Sequence, residues 1–79
     1  SAYAAEIAVA SDANALVDRM DLLLLNGRMS PGLRGRIAGA VGAINVSATA
    51  GTAQTTALTN RAKLAIFMTM ASAEYLVQR

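Results

Sequence analysis

The side chains able to do chemistry in this chain are few, and their spacing limits what they could do. The 79 residues include no Cys and no His. That removes thiolate and imidazole ligands, any disulfide framework and the commonest general base. The nearest carboxylates at helical spacing are Asp18 and Asp21. At i, i+3 they share one side of a helix and could reach a single cation or water. The competing reading is that Asp18 is solvated and Asp21 pairs with Arg28 or Lys63. Ser11, Ser30, Ser47 and Ser72 have no neighbouring base in sequence, and none sits in a nucleophile elbow. The sequence therefore reads as non-catalytic, with no metal site and no cofactor.

The cationic residues are placed more tellingly. Net charge is only +2, but no acidic residue lies between Asp21 and Glu74, and Arg28, Arg34, Arg36, Arg61 and Lys63 all do. Arg28, Arg34 and Arg36 cluster around the expected start of a helix, where phosphate or carboxylate groups could be held. A small basic nucleic-acid- or anion-binding domain is thus one functional class to weigh. The alternative is a solvated face with salt bridges back to Asp18, Asp21 and Glu74, each of small energetic weight. Against nucleic acid, aromatic residues make up only 4% of the chain, and glycine occupies the helix face where Asn, Gln or Arg would read base edges.

These residues must be positioned by helices. Ala, Leu and Met are abundant and β-formers scarce, which favours an all-α fold. The pattern predicts a small irregular three-helix bundle with helices over about 13–25, 31–44 and 56–78. Residues 1–12 form a loose arm or a short helix, 13–79 a single domain, and 45–55 a flexible loop rich in Ser, Thr, Ala and Gly. Ser11 or Asp12 caps the first helix, and Asn26-Gly27 ends it. Ser30-Pro31 starts the second, with Ser as N-cap and Pro at the first helical position. Leu16, Val17, Met20, Leu23 and Leu24 share the core face of the first helix, and Leu22 and Leu25 fall off it. Leu33, Ile37, Val41 and Ile44 form the core face of the second. The four methionines read as gap-filling core.

Leu64 to Ala71 carries no charge, Gly or Pro. Its large side chains surround the helix, which predicts a central helix enclosed on every side. No apolar run approaches the roughly 20 residues needed to cross a bilayer, and Ser1 to Asp12 lacks the pattern of a signal peptide.

Gly32, Gly35, Gly39 and Gly42 fall on the side of the second helix opposite its core face. Gly35-x-x-x-Gly39 could seat a partner helix at close range. The alternative is that a chain rich in Gly and Ala produces such spacings by chance. Each Gly weakens the helix by up to about 1 kcal/mol relative to Ala, so this helix depends on packing.

Three stretches resemble a known family: Leu16 to Leu24, Asn26 to Pro31, and Arg61 to Ala65 with Ala71 to Arg79. Together they are similar to the C-terminal end of the bacterial family termed domain of unknown function 1800. In that family's ending, Ser72, Glu74, Tyr75 and Gln78 match, whereas Ala73 stands where Pro is frequent. Ala73 should let the last helix continue unbroken. The resemblance implies the tail of a longer protein with an export signal, periplasmic or at the cell surface. It carries no activity and no catalytic residues to this chain.

The function expected from these readings is a non-catalytic helical packing module. It packs on the remainder of its parent protein, on another helix or on a second copy of itself. The interaction residues are Leu22, Leu25, Gly35 and Gly39. Glu74, Tyr75 and Gln78 either dock a partner or act structurally, with Glu74 pairing with Arg61 or Lys63 of another molecule or with an arginine of the second helix, and Tyr75 covering the core edge.

Overall fold

The computed structural model describes residues 3–78, with side chains through residue 73, and every regular element among them is helical. α1 spans Ala4–Val9 and α2 Ala13–Met20. A π-turn over Asp21–Leu25 continues α2, and α3 (Pro31–Gly42) and α4 (Thr52–Gln78) follow. The all-α expectation is met, and residues 4–9 form the short helix. α3 stops two residues short of its expected end. α4 begins four residues early, so the loop between them is residues 43–51.

The helix boundaries follow from local chemistry. Asp12 accepts hydrogen bonds from the N–H groups of Asn14 and Ala15 at 3.0 and 3.2 Å. Ser30 accepts from the N–H of Leu33 at 3.2 Å, with Pro31 at the first helical position. Both use a side-chain oxygen to satisfy first-turn donors that have no partner within the helix. Asn26 (φ 54°) and Gly27 (φ 79°) are both left-handed and stop the first long segment. Gly51, at φ 150°, turns the chain into α4 from a conformation L side chains rarely adopt. α4 runs unbroken through Ala73 to Gln78.

The core forms where α2, α3 and α4 meet, and α1 closes it at Ala10. Leu16, Val17, Met20, Ile37 and Val41 are fully or almost fully buried. Leu33, Leu58, Leu64 and Met68 pack partly against them. α4 touches every other element, and its 27 residues set the longest dimension of 43 Å.

Two expectations are corrected here. First, α4 is not enclosed on every side. Its buried stripe is Ala57, Arg61, Ala62, Ala65 and Thr69, while Phe67 and Met70 are 70% and 55% exposed. Apart from Arg61 these side chains are small, and they recur at helical spacing. The other elements therefore lie along one side of α4, and Phe67 and Met70 point outward.

Second, Leu23 and Leu24 are exposed, and Leu25 is buried in the core at 9% exposure. The π-turn is the cause. At its end the N–H of Asn26 donates to the carbonyl of Asp21, five residues back. The wider turn advances the core position after Met20 from Leu24 to Leu25. Leu22 does lie off the core, at 69% exposure. Of the methionines, Met20 and Met29 are buried and Met68 is half-buried.

Candidate interaction surfaces

Arg61 anchors the frame that holds the surfaces in place. It is a buried residue whose guanidinium donates to four backbone carbonyls. Nη1 reaches Ala10 and Ser11 at 3.1 and 3.3 Å, just after α1. Nη2 reaches Gly42 and Ile44 at 3.5 and 2.8 Å, at the end of α3, and Nε reaches Ile44 at 3.0 Å. A buried charge is tolerated only when fully hydrogen-bonded. Carbonyls at helix C-termini are suitable acceptors because no residue of their own helix uses them. Arg61 is thus removed from the expected basic surface. The sequence signal was its phase: it falls four residues after Ala57 and four before Ala65.

Asp21 pairs with Arg34 rather than with Arg28 or Lys63, and Asp18, largely exposed as expected, pairs with the same guanidinium. Arg34 Nη1 pairs with Asp18, and Nη2 lies 3.2 Å from Asp21 Oδ2. The other oxygen of Asp21 accepts the buried N–H of Met29 at 2.9 Å. One carboxylate therefore fastens the connection after the π-turn and the first turns of α3. Both acidic side chains of the expected i, i+3 pair face a guanidinium. Glu6 and Arg19 form a further ion pair at 2.7 Å that ties α1 to α2. Lys63 lies over the ring of Tyr3, 5.9 Å from its centroid.

Arg28 and Arg36 remain exposed. Both line a groove of about 440 Å³ with Leu25, Met29 and Leu33, and with α4 at Ala71 and Ser72. Of the three arginines expected to act together, two meet at this groove and Arg34 is engaged elsewhere.

A second groove, of about 210 Å³, opens on different residues. Leu23 and Leu24 from the π-turn, Ile66 and Met70 from α4, and Tyr3 from the chain start line it. Among the described residues none lines both grooves. The chain also matches no family model, curated protein or solved structure.

Gly35 and Gly39 are exposed, and a Cβ built on either would meet no atom within 4 Å. The glycine face of α3 is open, as a seat for a helix would be, and among the described residues nothing occupies it. Leu25, expected at an interface, belongs to the core. Leu23, Leu24, Phe67 and Met70 are the exposed apolar residues the periodicity did not single out. The side chains of Glu74, Tyr75 and Gln78 lie outside the described residues. Among the described residues no helix is long and apolar enough to cross a membrane.

Proposed function

We propose that this chain is a non-catalytic helical packing module whose outward apolar face is covered by another protein surface. One observation carries the reading. Leu22, Leu23, Leu24, Phe67 and Met70 are all large, apolar and exposed, and they come from two adjoining elements. Scattered exposed leucines are ordinary, whereas Leu23, Leu24 and Met70 meet around one groove, and such a grouping marks an interaction surface. In light of the resemblance to the C-terminal ends of the domain of unknown function 1800 family, the covering surface belongs to the remainder of a longer exported bacterial protein. The open glycine face at Gly35 and Gly39 offers the same partner a second line of approach.

Site-specific photo-cross-linking in the intact source protein tests this. A photoreactive residue at position 67 should cross-link to a defined surface, and one at Asn60, which is exposed among polar neighbours, should not. Equal and negligible cross-linking from both positions would remove the packing reading. Association through this face should be insensitive to salt, since it rests on apolar burial.

A second reading is supported by Arg28 and Arg36 meeting at one groove. It is an anion-binding surface that has lost Arg34 to Asp18 and Asp21.

A further inference from the structure

The groove lined by Arg28 and Arg36 combines two chemistries on one surface. Its floor is apolar: Leu25 and Met29 are buried and Leu33 is half-buried. Its rim carries two exposed guanidinium groups, neither with an acidic partner among the described residues. Arg34 lies between them in sequence but is engaged by Asp18 and Asp21. Among the described residues, the charges at the groove are those of Arg28 and Arg36, and an occupant must answer both the floor and the rim.

We propose that this groove docks an acidic amphipathic helix of another polypeptide. Leu- or Met-sized anchors at i and i+3 or i+4 would rest on Leu25, Met29 and Leu33. Asp or Glu residues beside the anchors would meet Arg28 and Arg36. A helix laid in an apolar groove keeps its opposite face in water, which suits a floor this shallow. An enclosed small-molecule site would instead surround most of its ligand. Guanidinium groups bind carboxylates bidentately, so the rim selects acidic flanks and fixes their register. A nucleic-acid backbone would satisfy the arginines but gain nothing from the floor. Among the described residues this site shares no lining residue with the Leu23–Met70 groove, and it does not depend on the packing reading above.

The test titrates the intact chain into a fluorescein-labelled synthetic helical peptide with Leu anchors and Glu flanks. A control peptide carries Lys in place of Glu. The Glu peptide should bind saturably, and more weakly as salt rises. Arg28→Gln and Arg36→Gln should each weaken binding about threefold and together about tenfold, the range expected for exposed ion pairs. Both arginines are exposed, so circular dichroism should show unchanged helix content in the variants. The amide resonances of Met29, Leu33 and Ala71 in the unsubstituted chain give a readout independent of the variants, and they should move on peptide addition. The proposal is overturned by any of four results. These are no saturable binding at millimolar peptide, equal binding of the Glu and Lys peptides, shifts confined to Leu23, Leu24 and Met70, or tighter binding of oleate or duplex DNA at the same residues.

Discussion

Arg61 donates through both Nε and Nη2 to the single backbone carbonyl of Ile44, at 3.0 and 2.8 Å. The remaining nitrogen reaches back to Ala10 and Ser11, some fifty residues earlier in the chain. One side chain of α4 thereby holds the ends of α1 and α3. A lysine would keep the charge but lose the planar fork, and the buried carbonyl of Ala10 and the half-buried one of Ile44 could not both keep their donors. Arg61→Lys should destabilise the chain by about 2–3 kcal/mol. In a domain of this size that corresponds to a fall in melting temperature of roughly 10 °C or more. Thermal and urea unfolding followed by circular dichroism measure this. A change below about 0.5 kcal/mol, the range of ordinary surface substitutions, would mean that the guanidinium network does not hold the helix ends.

Asp21 joins a charged contact to a buried one. Its Oδ1 accepts the Met29 N–H, and its Oδ2 faces Arg34. The two contacts differ in weight. The Met29 N–H is buried and has no water to replace Asp21, whereas Arg34 is about one-third exposed and its ion pair is screened. Asp21→Ala should cost about 1.5–3 kcal/mol, and Arg34→Ala about 0.5 kcal/mol or less. Comparable losses from the two, in urea unfolding at moderate salt, would show that the ion pair and not the backbone bond fastens the connection.

The local features of the fold were legible in the sequence, and those that depend on distant partners were not. Asp12, Ser30-Pro31 and Asn26-Gly27 act within three or four residues of themselves, so their roles follow from residue type and position. The buried face of α3 at Ile37 and Val41 likewise follows from a regular helical period. Arg61 could be placed by phase on the buried stripe of α4, but its acceptors lie 17 to 51 residues away. The outward turn of Phe67 and Met70 was hidden because periodicity reports where apolar residues are, not which side a neighbour will cover. At the candidate surfaces, Arg28, Arg36 and Leu22 were legible as exposed residues, whereas the engagement of Arg34 by both carboxylates required the fold.

The glycines of α3 give a prediction of opposite sign. Gly35 and Gly39 are helical and exposed, and among the described residues a methyl at either position meets nothing within 4 Å. Gly35→Ala and Gly39→Ala should each stabilise the chain by about 0.5–1 kcal/mol, because alanine loses less backbone freedom on folding. Raised melting temperatures would fit an open face. If the face also seats a partner helix, replacing both with Leu should keep the gain in the isolated chain while abolishing association. A loss of stability with Ala would show that these positions are closely packed.

The π-turn makes the sharpest contrast, because it separates two leucines three residues apart. An uninterrupted α-helix after Met20 would place Leu24 over the core and leave Leu25 to one side. With the wider turn, Leu25 occupies the core and Leu22 stays in water. Leu25→Ala should therefore cost about 2–4 kcal/mol, through lost burial and the cavity left behind. Leu22→Ala should fall within about 0.5 kcal/mol of the parent, as an exposed substitution does. Leu24→Ala decides between the two geometries, since a helix without the extra residue per turn would make Leu24 the costly one. Equilibrium unfolding of the three variants gives the order. If Leu24 exceeds Leu25, the segment is a regular α-helix, and the apolar face assigned to Leu23, Leu24 and Met70 loses its central member.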